Sequence, residues 1–131
     1  MKGVDSPEEA CFARANAKHE RKPNEPASIH VRHVLVKHRD SASPGGATRS
    51  RGEACLRAEE ALDKLTHGAK LDEVVGTYSD SKGANGDGDL GSVTRDGLEA
   101  PFADAAFELE SGQLSNVVET RHGFHVIVRT E

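Results

Sequence analysis

The chain has no tryptophan, one tyrosine, one methionine and two cysteines in 131 residues. Aromatic residues make up 4% and apolar residues 35%, so a core must be assembled from Val, Leu, Ala and four Phe. That material suffices for one domain of about 100 residues with an appended segment. Cys11 and Cys55 make no Cys-x-x-Cys motif, and two cysteines are too few for a disulfide framework. A reducing, intracellular setting, cytoplasmic and/or nuclear, is therefore expected. No apolar run approaches the length of a membrane span, and Met1–Glu9 has no apolar leader stretch. No membrane partner is expected.

Charge is present but unevenly placed. The formal net charge is −5. Residues 1–28 balance five basic against five acidic groups. Residues 29–51 hold Arg32, Lys37, Arg39, Arg49 and Arg51 against Asp40 alone, giving +4, and residues 52–131 carry −9. A basic loop on an acidic body points to a local anion site, not a general nucleic-acid surface.

Residues 1–28, with Pro7, Pro23 and Pro26 and few large apolar groups, read as a flexible N-terminal extension. A short helix is available within them from Pro7 to Lys18. Ile29 to Lys37 alternates as a strand, with Ile29, Val31, His33 and Leu35 on one face and His30, Arg32, Val34 and Val36 on the other. Ser43-Pro44-Gly45-Gly46 marks the loop after this strand. The periodicity of Ala54, Cys55, Ala58, Ala61, Leu62 and Leu65 predicts a helix over 53–67, ended by Gly68. Leu71, Val74, Val75 and Tyr78 predict a second, shorter helix.

Ser79 to Leu109 is the most informative stretch. Gly83, Gly86 and Gly88 allow positive φ in its opening loop. Asp89-Leu90-Gly91 leads into a short strand, which Arg95-Asp96-Gly97 ends as a turn. Pro101 then opens a helix whose apolar face is Phe102, Ala105, Ala106 and Leu109. A brief strand at Val117-Val118 and a last one over Gly123–Arg129 complete the chain. The pattern is α+β.

The ordered set Gly88-Asp-Leu-Gly91, Gly97-Leu98 and Pro101-Phe-x-x-Ala-x-Phe107 resembles the parvulin family of peptidyl-prolyl cis/trans isomerases. His33-Val-Leu-Val-Lys37, Tyr78-Ser79-Asp80 and Gly123-Phe-His125-Val-Ile-Val extend the likeness over roughly residues 29–131. The resemblance implies a small four-stranded, mostly antiparallel sheet surrounded by about four helices. It is nearest to the phosphorylation-directed eukaryotic branch. That branch often carries a Trp-based docking module, which a chain without tryptophan is not expected to have.

The residues alone leave His33 and His125 open: each sits among apolar partners, as a core histidine would. The resemblance implies that they form a side-by-side pair beneath the active site, supported by Thr120. It places Leu90, Leu98 and Phe102 in a pocket for the proline ring, where ordinary core packing is the plain alternative. Ser81 departs from the family, which usually has Cys or Asp there; by itself it reads as a turn serine. Lys37 matches the phosphate-gripping position of the phosphorylation-directed branch. Ala42-Ser43 stand where that branch has an arginine pair, so Arg49 and Arg51 are the substitutes expected to complete the anion site. The spacings His30/His33 and His122/His125 put their members on opposite strand faces, and no metal or other cofactor is expected.

The reading is a monomeric prolyl isomerase acting on Ser/Thr-Pro segments, with phosphorylated ones preferred. The alternative is a catalytically weak proline-peptide binding module on the same fold. A third, association with nucleic acid through the basic loop and tail, is the least supported.

Overall fold

The computed structural model describes residues 6–83 and 86–131; residues 1–5, 84 and 85 lie outside them. Among the described residues, four helices and four strands occur in the order α1 (Pro7–Ala15), β1 (Ser28–Val36), α2 (Arg51–Thr66), α3 (Leu71–Tyr78), β2 (Asp89–Thr94), α4 (Ala100–Glu108), β3 (Val118–Thr120) and β4 (Gly123–Arg129). The strands form one antiparallel sheet in the order β2-β1-β4-β3. The expected α+β architecture is present.

β1 lies at the centre, which explains its apolar residues on both faces. Val34 and Val36 join Val126 and Phe124 of β4 against α1, α2 and α3. Ile29, Val31 and Ile127 face Phe102, Ala106 and Phe107 of α4. His33 belongs to this second face by alternation. It pairs with Ile127 across the β1–β4 ladder, while His125 pairs with Leu35.

α2 begins two residues earlier than its apolar stripe suggests. Ser50 and Glu53 form a capping box, in which the Ser50 hydroxyl accepts the Glu53 N–H and the Glu53 carboxylate accepts the Ser50 N–H. α4 likewise starts at Ala100, one residue before Pro101. Arg95–Gly97 is a 3-10 turn.

Gly88 is required by its surroundings. Its φ is +76°, and a Cβ there would stand 2.3 Å from the carbonyl oxygen of His33. The contact is part of the fold, because the His33 N–H donates to the Gly88 carbonyl at 2.9 Å. The glycine loop is thereby stitched to the strand that carries His33.

Two expectations are corrected. Cys11 and Cys55, not expected to pair, form a disulfide with a sequence separation of 44 residues. Spacing could not reveal it, because the two meet only when α1 packs on α2. Closing a loop of that length stabilises the fold by roughly 4 kcal/mol through the unfolded chain. The segment expected to be a flexible extension is, over residues 6–27, laid against the domain. Cys11 and Ala15 are buried in the core shared with α2, and Phe12 stacks on Phe124 with ring centres 6.1 Å apart. Its low apolar content did not signal this, because much of the docking is polar.

Two glycine substitutions should separate steric need from helix propensity. Gly88→Ala is expected to cost more than about 2 kcal/mol in denaturant unfolding. Gly76→Ala, in α3 with nothing within 4 Å of the added carbon, should instead stabilise by about 0.5–1 kcal/mol.

Candidate active site

A cavity of about 360 Å3 opens on the α4 side of the sheet, lined by His33, Leu90, Asp96, Gly97, Leu98, Glu99, Phe102, Thr120, His122 and His125. β1 and β4 supply the histidines, residues 96–99 at the end of the 3-10 turn supply the wall around Leu98, and α4 supplies Phe102. Leu90 is 39% exposed and is the exposed large apolar side chain among the described residues. A core role for Leu90 is thereby set aside, since it stands at the cavity instead. Leu98 is half-buried and Phe102 buried.

His33 and His125 lie side by side, their rings 5.3 Å apart and stacked, with Nδ1 atoms 3.1 Å apart. Phe102 presents edge-on geometry to both, at 5.9 Å and 5.0 Å between ring centres. His125 Nε2 is 2.7 Å from the Thr120 hydroxyl, which also accepts the His122 N–H. Two neutral imidazoles facing each other through Nδ1 must divide the roles of donor and acceptor between them. The chain Thr120–His125–His33 therefore has two proton arrangements that are mirror images of one another. If Thr120 donates to His125 Nε2, then His125 donates to His33 and His33 carries its proton on Nε2. In the reverse arrangement His33 Nε2 is bare. That nitrogen is buried and has no hydrogen-bond partner among the described residues.

Burial holds both rings neutral. It pushes His33 down from 6.5 to about 4. It pushes His125 well below its ordinary value too, and the neighbouring His33 and His122 add to the effect. The cavity floor thus carries no net charge at neutral pH.

Ser81 is not among the residues that line this cavity. Its backbone is held by Ser79, whose hydroxyl donates to the Ser81 carbonyl at 2.7 Å and accepts the Leu35 N–H at 3.0 Å. The entry to the loop is fixed further by Asp80, whose carboxylate accepts from the Lys37 N–H and from Arg49.

The three residues expected to form an anion site are divided. Lys37 and Arg49 line a second, polar depression with Pro44–Thr48 and Asp80. There the Lys37 ammonium donates to the Ser43 carbonyl at 2.9 Å, and Arg49 pairs with Asp80 at 2.6 Å. Arg51 does not line that depression. It donates two bonds to Glu119 and lies 3.8 Å above the Phe12 ring. Burial alone would raise the Glu119 carboxyl, but the bonds from Arg51 and Asn16 hold it below its ordinary value. The surplus charge of residues 29–51 is also reduced at Arg32, which pairs with Asp72.

Sequence reasoning missed Asp96, Gly97, Glu99 and His122 as lining residues. Their position around Leu98 and close to Thr120 was the available signal; Gly97 was read only as a turn and motif residue, and His122 only as half of a metal spacing.

The fold and cavity define a small antiparallel domain with a buried histidine pair under a pocket whose wall carries Leu90, Leu98 and Phe102. The model of the rotamase, or PPIC-type PPIASE, domain matches residues 33–131. The chain belongs to this family, the parvulin-type peptidyl-prolyl isomerases. Pin1 of Schizosaccharomyces pombe, a peptidyl-prolyl cis-trans isomerase, is 41% identical over 107 residues, covering 77% of this chain and 61% of that protein. The dodo protein of Drosophila melanogaster is 39% identical over 110 residues, covering 79% and 66%. The solved structure of the peptidyl-prolyl isomerase ESS1 from Candida albicans superposes with a TM-score of 0.75 at 34% identity, covering 82% of this chain and 65% of that one. The chain thus spans somewhat less than two thirds of the length of these relatives. No described helix is long and apolar enough to cross a membrane.

The buried pair makes stability depend on acid. In the unfolded chain each histidine takes up a proton near pH 6.5, whereas folded His33 does so only near pH 4. Below 6.5 the unfolded state binds more protons, so stability falls as pH drops, and the His33 contribution to that fall levels off near 4. The expected loss for His33 is on the order of 3 kcal/mol. Denaturant unfolding of the parent and of His33→Asn between pH 7.5 and 4.5 checks this; the variant should show a shallower slope.

Proposed function

We propose that the chain is a peptidyl-prolyl cis/trans isomerase acting on Ser/Thr-Pro segments of proteins, with phosphorylated segments favoured. The observation that carries the reading is the apolar Leu90/Leu98/Phe102 cavity set directly on a neutral, hydrogen-bonded histidine pair. Its size suits a proline ring with its flanking amide.

The reaction makes no net covalent change. It rotates a prolyl amide across a barrier of ~18–20 kcal/mol. As the amide twists it loses resonance: its nitrogen becomes a better acceptor, and its carbonyl oxygen sheds negative charge. A site accelerates the step by binding the twisted form better than either planar one, with dipoles already aimed. The ring would sit against Leu90, Leu98 and Phe102. Beneath it the His33–His125–Thr120 chain offers polar groups without a fixed charge, and it can reverse its donor sense without moving a heavy atom. Ser81 contributes hydrogen bonding at the loop in this proposal, and no nucleophile is required.

Phosphate preference rests on Lys37 and Arg49. Lys37 needs to release only a backbone carbonyl to reach an anion, and Arg49 could exchange Asp80 for a phosphate with little loss of bonding. Arg51, engaged with Glu119, is left out of the proposal. A proline-peptide binding module with little catalysis is the second reading, favoured by the absence of Ser81 from the cavity lining.

In a cytoplasmic or nuclear setting the thiol pool keeps cysteines reduced. The Cys11–Cys55 bond therefore makes compartment and redox state a single question.

Exchange NMR on matched Ser-Pro and phospho-Ser-Pro peptides tests the proposal. Both should interconvert faster with the protein present, the phosphorylated one more so. His33→Ala should lower the rate about tenfold, equivalent to about 1.4 kcal/mol of barrier. Lys37→Ala should remove the preference while leaving the Ser-Pro rate unchanged. Equal rates on the two peptides would end the phosphate proposal, and peptide binding without any acceleration would favour the binding module.

A further inference from the structure

Residues 6–27 cross the domain as a strap with two anchored ends. At one end Cys11 is bonded to Cys55 of α2, and Arg14 donates two bonds to Glu59. The seat is shaped for it: a Cβ on Gly52 would lie 2.6 Å from Cγ of Glu8. The strap then passes β3, where Asn16 donates to Glu119, and reaches the end of α4. There Glu108 accepts from the Glu20 N–H and lies 3.0 Å from His19. At its far end Glu25 accepts two bonds, both 2.8 Å, from Arg95.

Arg95 joins the strap to the cavity. Its remaining nitrogen donates to Asp104 of α4 at 2.5 Å, and its guanidinium lies 5.4 Å from the Phe107 ring centre. The 3-10 turn that begins at Arg95 continues into Gly97 and Leu98 of the cavity wall, and α4 carries Phe102. Glu25 therefore braces, through one side chain, both walls of the apolar pocket.

We propose that residues 6–27 are a redox-fastened strap: the Cys11–Cys55 disulfide holds the strap down, and the strap fixes the proline pocket through Glu25 and Arg95. Its effect on isomerisation rests on the function proposed above; the fastening itself does not. Arg95 is a positioning residue in this scheme. Release consumes a thiol reductant such as glutathione. A thiolate attacks one sulfur of the pair, the S–S bond breaks, and the other cysteine leaves as a thiolate and takes a proton. A second thiol then attacks the mixed disulfide. Cys11 and Cys55 end as thiols, and two reductant thiols end as one disulfide, with two electrons and two protons transferred.

Two features tie reduction of the bond to release of the strap. Both cysteines are fully buried, so exchange requires α1 to lift. α1 is nine residues long, too short to be stable off its seat, which makes lifting and unravelling one event. The strap also lies outside the family domain, whose match begins at residue 33.

Hydrogen exchange of the full chain, oxidised and after dithiothreitol, tests the proposal. Reduction should speed exchange at residues 6–27 and at 95–99 about tenfold or more beyond any change in α2 and β4, which should remain folded. Glu25→Gln, left oxidised, should speed exchange at 95–99 while residues 7–15 stay protected. In both cases KM for a Ser-Pro peptide should rise several-fold with kcat nearly constant. A glutathione titration should convert the disulfide reversibly. The proposal is overturned by unchanged exchange in the reduced protein, by reduction that unfolds β4 as well, or by a disulfide that glutathione leaves intact. Absence of isomerisation in every form, with the exchange pattern as stated, would count against the isomerase and keep the strap.

Discussion

Two imidazoles buried against each other at the centre of a four-stranded sheet set the terms for the rest of this molecule. Neither can carry a proton there at neutral pH without losing its hydration, and neither nitrogen facing the other can be satisfied except by its partner. The β1–β4 register keeps that pairing, since a slip of one residue would turn one of the two rings to the α2 side and part it from its partner. Thr120 is held by the short β3 strand so that the chain of hydrogen bonds ends on a hydroxyl, a group able to donate or accept.

The cavity above the pair inherits its character from it. Apolar groups from three separate elements converge there, and their common floor is polar but uncharged. A planar amide gains little from such a floor. A twisted amide, whose nitrogen has become a better acceptor, gains more, and that difference is what a catalyst of rotation needs. Anchoring of the wall comes from outside the family domain, through the two-ended strap and its contact at Arg95. The polar depression at Lys37 and Arg49 is a separate place on the surface.

Much of this was legible along the chain. Alternation in 29–37 fixed which face of β1 carries His33, and the i, i+3, i+4 spacing after Pro101 put Phe102 on the buried side of α4. Leu90 and Leu98 were recognisable only by resemblance to parvulins, because composition alone cannot tell a pocket leucine from a core one. Long-range pairings were not legible. Arg51 looked available until Glu119, 68 residues away, was placed beside it. The same holds for Cys11 and Cys55, and for a polar N-terminal segment whose partners are single carboxylates and guanidiniums scattered over the domain. Hydrophobic periodicity says nothing about such contacts. Ser81 shows the limit from the other side: its position in the motif was clear, but its relation to the cavity depended on how Ser79 and Asp80 tether the loop.

The most direct measurement of the central claim is a 15N NMR spectrum of the histidine side chains at pH 6, with His33 and His125 assigned. The account predicts that both rings are neutral at that pH, with one Nδ1 protonated and the other bare across their shared hydrogen bond. Imidazolium signals from either ring, or two rings both protonated at Nε2 alone, would contradict it.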